Sequence, residues 1–109
     1  MQTLVPVGNF EEKARGLLGD GGFEVLLEFL ASKPKAGDLI KGTGGLRKVR
    51  IARRNGGKRG GARVIYYYHN ENKPLLLLMI YAKADQEDLT AKQAKRLKRW
   101  VDEIIDGLR

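Results

Sequence analysis

The chain has no cysteine and a single histidine, His69. The first absence excludes disulfides, thiolate nucleophiles and Cys-rich zinc sites together, and it is compatible with a reducing cytoplasm. The second excludes a ribonuclease mechanism built on paired histidines. Long hydrophobic runs are also missing: the longest, from Leu75 to Ala82, is eight residues, far short of the roughly 20 needed to cross a bilayer. The N-terminal MQTLVPVGNF lacks a charged leader region and is interrupted by Pro6 and Gly8, so a soluble cytoplasmic protein is expected. The glycine-rich stretches match neither the Walker spacing nor GxGxxG after a strand, so no nucleotide cofactor is expected. Asp85, Glu87 and Asp88 cluster ahead of a helix, where acids favour the macrodipole, and no metal site is expected from them. One further absence is local. Between Lys41 and Arg63 stand nine Lys or Arg residues and no Asp or Glu.

That acid-free run is the most informative feature present. It sits on what reads as a β-hairpin and leads into three tyrosines, Tyr66 to Tyr68. A two-stranded ribbon with an uninterrupted basic field points to a polyanion surface, RNA or DNA. A lysine-rich edge strand that guards against aggregation would also be basic, but it does not require acid to be excluded over so long a run. The net charge of +8 draws the whole chain toward anions. Its 109 residues correspond to one domain, 1–109, and 42% hydrophobic content fits a packed core and not a disordered basic tail.

The hydrophobic period places these residues on elements. Thr3 to Val7 reads as a short strand held to an edge by Pro6. Asn9 with Glu12 forms a capping-box pattern, and Phe10, Ala14, Leu17 and Leu18 predict a first helix ending near Gly19. Asp20 to Gly22 reads as a turn. Phe23, Leu26, Leu27 and Leu30 then predict a second helix, stopped by Pro34 and Gly37. From Leu46 the period becomes two, with Val49 and Ile51 on one face and Lys48 and Arg50 on the other. The loop from Arg54 to Gly61 holds four glycines, and Ala62 to His69 returns as a strand. Leu75 to Lys83 is apolar on both faces and predicts an interior strand. Thr90 and Gln93 form a second capping box before the stripe Ala94, Leu97, Val101, Ile104, Ile105 and Leu108, with Lys92, Lys95, Arg96, Lys98 and Arg99 opposite. The expected fold is α+β: a small, mostly antiparallel sheet with two N-terminal helices packed on one face and a C-terminal helix, in the order βααβββα. The face opposite the N-terminal helices is expected to carry Lys48, Arg50 and Arg63, because a slip of one residue would bury the charges.

The chemistry on offer is cationic. Lys48 and Arg50 stand about 7 Å apart on one strand face by strand geometry. Arg63 begins the next strand, and Lys83 ends the one after it. Preorganised cations of this kind stabilise a dianionic phosphorane more than its ground state. RNA supplies its own nucleophile, the 2′-hydroxyl. A lysine whose pKa is lowered among other cations is then a reasonable base. Backbone binding without cleavage fits the same residues, and physics alone favours it over catalysis.

Ordered motifs add a resemblance. GDLI at Gly37–Ile40, GTGGLRK at Gly42–Lys48, GKRGGARVIYYY at Gly57–Tyr68 and IYAK at Ile80–Lys83 stand in the order found in the RelE/HigB superfamily of type II toxins. The chain most resembles the HigB-like branch, strongly over Pro34 to Thr90. The resemblance implies a RelE-like fold and a metal-independent endoribonuclease, an mRNA interferase without cofactor, that cuts mRNA on the ribosome and inhibits translation. It also implies a cognate antitoxin, of helix-turn-helix type, as partner. The family's basic positions fall on Lys48, Arg50, Arg63 and Lys83 as catalytic residues, with Arg50 and Arg63 clamping the scissile phosphate and Lys48 or Lys83 as base or acid. Arg47, Arg53, Arg54, Lys58 and Arg59 are expected to grip RNA backbone. Some RelE enzymes carry a tyrosine or a histidine–tyrosine pair shortly after the last strand, whereas this chain reads ADQEDLT. Tyr67 and Tyr81 are the candidates for base stacking or for the missing acid. A non-catalytic nucleic-acid-binding module and a degenerate toxin are the alternatives.

Overall fold

The computed structural model describes residues 2–52 and 61–107. Within them the elements run β1 (Leu4–Pro6), α1 (Phe10–Ser32), β2 (Asp38–Leu39), β3 (Leu46–Ile51), β4 (Ala62–Tyr67), β5 (Leu75–Ala82) and α2 (Ala91–Gly107). The strands form one sheet in the order β1-β5-β4-β3-β2. β1 pairs with β5 in parallel and the other neighbours are antiparallel, so the α+β sheet is mixed.

Two details differ from the sequence-based expectation. The N-terminal helical region is one helix with a kink, where two helices and a turn are predicted. Only Gly19 leaves helical geometry, at φ 78° and ψ 166°, and the residues 20–22 are helical. Arg15 bridges the kink: it bonds Glu11 at 3.0 Å and Asp20 at 2.9 Å, and its guanidinium lies 4.6 Å from the centre of the Phe23 ring. The glycines that suggest a turn therefore supply a bend inside a helix whose two halves bury Phe10, Ala14, Leu18, Phe23, Leu26 and Leu30 in one core. Asn9 stands at the N-cap, but its side chain makes no capping bond. The second difference is β2, two exposed residues that extend the sheet beyond β3.

Both faces of the sheet are covered. On one, α1 packs against Ala62, Val64, Tyr66, Leu75, Leu77 and Ile80. On the other, Leu97 and Val101 of α2 pack against Leu46, Ile65, Leu76, Leu78 and Tyr81. β5 accordingly buries alternate side chains in opposite cores, each such burial contributing about 1.5–3 kcal/mol. An irregularity in the β4–β5 register at Ile65/Tyr66 puts Leu78 and Met79 together on the α2 side. The capping box of α2 forms as the sequence suggests: the Gln93 N–H donates to Thr90 Oγ1 and the Thr90 N–H donates to Gln93 Oε1, both at 3.0 Å. No helix among the described residues is long and apolar enough to cross a membrane.

Candidate active site

Strand alternation decides which charges meet. In β3, Val49 and Ile51 pack on the α1 side, while Leu46 lies in the α2-side core. Lys48 and Arg50 share the parity of Leu46 and so face the α2 side. Arg50 is the cross-strand partner of Arg63, and Arg63 in turn is the partner of Tyr81. With neighbouring strands about 4.8 Å apart, Arg50, Arg63 and Tyr81 form a row roughly 10 Å wide across β3, β4 and β5. Lys48 lies two residues along β3 from that row.

The turn before β3 fixes this placement. Thr43 is buried; its hydroxyl donates to the Ile40 carbonyl at 2.6 Å and accepts from the Leu46 N–H at 3.2 Å. The GTGG motif is thus a side-chain-tied turn that launches β3. At the other end, the Lys83 N–H donates to the Gly61 carbonyl at 3.0 Å, which holds the end of β5 beside the start of β4. Gly61 has φ +61°, and a Cβ there would stand 2.5 Å from the Ile51 carbonyl oxygen. Only glycine fits where the two strands come together.

The connection from Lys83 to Thr90 folds back over the same group. Lys48 Nζ donates to Asp88 Oδ1 at 3.1 Å, and the Leu89 N–H donates to the same oxygen at 2.8 Å. Lys83 Nζ donates to the Glu87 carbonyl at 3.1 Å. Gln86 ties the connection to α2 through the Asp88 carbonyl and Gln93 Oε1, each at 2.9 Å. The Lys48 hydrogen bond, then the Leu89 N–H, and the charges of Lys48 and Lys83 hold the Asp88 carboxyl below its ordinary range. Burial first, and the Asp88 charge second, push the Tyr81 hydroxyl up, while Arg63 pulls it down. The Tyr81 hydroxyl is buried with no hydrogen-bond partner among the described residues. Asp88 is thus coupled to Lys48, Lys83 and Tyr81, and Tyr81 in turn to Arg63.

Arg50 and Arg63, backed by two lysines, make this face of the sheet cationic. The profile described as RelE toxin of the RelE / RelB toxin-antitoxin system matches residues 35–106. The chain belongs to the RelE toxin family. The match spans β2 to β5 and nearly all of α2, including every residue of the row. Membership makes the chain the toxin half of a toxin–antitoxin pair, a family whose toxins are endoribonucleases in general and whose partner is an antitoxin of the RelB type.

Within this RelE toxin, Lys48, Arg50, Arg63 and Lys83 come to one side of the sheet. Arg47 does not join them. Its parity is that of Val49, and its Nη1 donates to the Gly37 carbonyl at 2.8 Å and the Lys35 carbonyl at 3.3 Å. It pins the segment before β2 to β3. Arg53, Arg54, Lys58 and Arg59 lie outside the described residues. Tyr67 lies four residues beyond Arg63 on β4, about 13 Å along the strand. Its hydroxyl meets His69 Nδ1 at 3.1 Å, and the two rings stack with centroids 6.1 Å apart. Tyr81 is 6% exposed and packs in the α2-side core, so its ring offers no face for a base. Asp88 is the residue that sequence reasoning passed over. An acid just before a helix has an ordinary explanation, and its contact with Lys48 crosses 40 positions.

Proposed function

We propose that this toxin is a metal-independent endoribonuclease that cuts mRNA on the ribosome and so inhibits translation in the cytoplasm. The observation that carries the reading is the Arg50–Arg63 pair on one sheet face, flanked by Lys48 and Lys83. Two guanidiniums side by side suit the equatorial oxygens of a pentacoordinate phosphorane, whose extra charge makes their attraction stronger there than in the ground state. Arg50 and Arg63 clamp the scissile phosphate, and Lys48 and Lys83 flank it at the positions for proton transfer. The 2′-hydroxyl of the RNA is the nucleophile, so neither a metal-bound water nor a covalent enzyme intermediate is required.

The ribosome supplies the long polyanion that the rest of the surface suits. Between residues 40–43 and α2 lies a groove of about 650 Å³ lined in part by Lys41, Lys95, Lys98 and Arg99, with Asp102 bonded to Lys98. This groove, with Arg53, Arg54, Lys58 and Arg59, grips RNA backbone while the Arg50–Arg63 row acts. The antitoxin is expected to carry an acidic segment, since a net charge of +8 steers such a partner and speeds association at low salt.

Induced expression with mapping of mRNA 5′ ends tests the reading. Growth arrest with new ends inside translated codons is expected. Growth arrest without such ends, or steeply salt-dependent RNA binding without cleavage, would instead make the chain a binding module.

A further inference from the structure

Among the described residues, Lys48, Arg50, Arg63 and Lys83 leave a cleavage site short of a proton acceptor. Arginine has no acceptor, so Arg50 and Arg63 cannot take the proton of a 2′-hydroxyl. Lys48 is engaged as a donor to the Asp88 carboxylate at 3.1 Å. Lys83 is engaged as a donor to the Glu87 carbonyl. The Tyr81 hydroxyl is pushed toward its protonated form by burial. His69 is at the far end of β4, bonded to Tyr67.

Asp88 remains. Both of its hydrogen bonds end on Oδ1, which leaves Oδ2 open among the described residues. Its side chain is 65% exposed, so a ribose can reach it. The neighbouring carboxylates of Asp85 and Glu87 make no ion pair with the cations among the described residues. The charged and titratable groups that bear on Asp88 from the surrounding elements are Lys48 of β3 and Tyr81 and Lys83 at the end of β5, with Arg63 of β4 acting on Tyr81.

We propose that Asp88 is the general base of the cleavage reaction. This rests on the ribonuclease reading above and assigns its proton acceptor. A substrate phosphate draws the Lys48 ammonium from Asp88 to itself, freeing the carboxylate. The 2′-O–H proton passes to Asp88 as the 2′-oxygen bonds to phosphorus. The P–O5′ bond breaks, and the leaving 5′-oxygen takes a proton from a lysine ammonium of the site. The products are a 2′,3′-cyclic phosphate and a 5′-hydroxyl.

The test is single-turnover cleavage of a short mRNA in the ribosomal A site, made with either oxygen or sulfur as the bridging 5′ leaving atom. A thiolate departs without protonation, so the sulfur substrate removes the need for an acid while keeping the need for a base. Cleavage of the oxygen substrate by the unaltered toxin, and none of its 2′-deoxy counterpart, checks the ribonuclease reading separately. Asp88→Asn is expected to slow both substrates by about 100-fold or more, the scale of general base catalysis. Asp88→Glu should recover part of that loss, with antitoxin binding confirming that each variant is folded. Cleavage of the oxygen substrate by Asp88→Asn at the unaltered rate would overturn the assignment. So would a defect that disappears with the sulfur substrate, because Asp88 would then serve the leaving group by positioning Lys48.

Discussion

Arg50 and Arg63 stand directly opposite each other on antiparallel strands, one pair of like charges on a shared face. Like charges directly opposite each other on a sheet are destabilising. An anionic transition state would draw on both charges. Arg50→Thr, which keeps strand preference, is therefore expected to raise stability by up to about 1 kcal/mol while lowering the cleavage rate. Urea unfolding and single-turnover rates measured on the same preparation check it. A variant less stable than the parent would argue that the two arginines do not repel.

Tyr66 anchors the segment between α1 and β2. Its hydroxyl accepts from the buried Gly37 N–H and donates to the Pro34 carbonyl, both at 2.8 Å. Tyr66→Phe leaves the Gly37 N–H without a partner in a buried place. The expected cost is about 1–3 kcal/mol of stability, read as a lower urea midpoint at unchanged slope.

Gly61→Ala should damage stability and activity together. The new Cβ would meet a backbone oxygen, which cannot move as a flexible side chain can, and φ there is +61°. Strain of about 1–3 kcal/mol is expected. Because Gly61 also receives the Lys83 N–H and adjoins the start of β4, relief of that strain displaces Arg63 and Lys83. A melting curve and a cleavage assay should show both losses; a variant with normal melting would contradict the clash.

Asp88 sets a pH dependence with a definite sign. Its folded value lies below the ordinary 3.8, so the Lys48–Asp88 pair contributes stability above about that pH and loses it as pH falls through the lower folded value. The pair is largely exposed, so the contribution is under about 1 kcal/mol. Carboxyl NMR titration of Asp88 should show the depressed value, and Lys48→Ala should move it upward. An Asp88 that titrates identically in both proteins would mean the pair does not form in solution.

The parity of the charged strand residues is more legible in the sequence than the path of the N-terminal helix. The β3 alternation is legible because Val49 and Ile51 differ so sharply from Lys48 and Arg50, and the same parity places Arg47 with the apolar residues. β5 reads as an interior strand because both its faces meet a core. α2 is legible from Thr90, Gln93 and its stripe. The kinked α1 is not, because Gly19, Gly21 and Gly22 look like a turn until Arg15 is seen to reach both Asp20 and Phe23. β2 carries no pattern, being two exposed residues fixed only by pairing with β3. Asp88 is hidden for a related reason: its role depends on tertiary contact with Lys48, which no local spacing announces.

The central claim is that Arg63 stabilises the transition state of mRNA cleavage on the ribosome. The measurement is single-turnover cleavage on programmed ribosomes at saturating toxin, comparing Arg63→Ala with the parent after both are shown to be folded and to bind ribosomes. The expected result is in-codon cleavage by the parent and a rate about 100-fold lower in the variant, the loss of on the order of 3 kcal/mol of transition-state stabilisation. Cleavage by Arg63→Ala at the parental rate once bound would contradict the account.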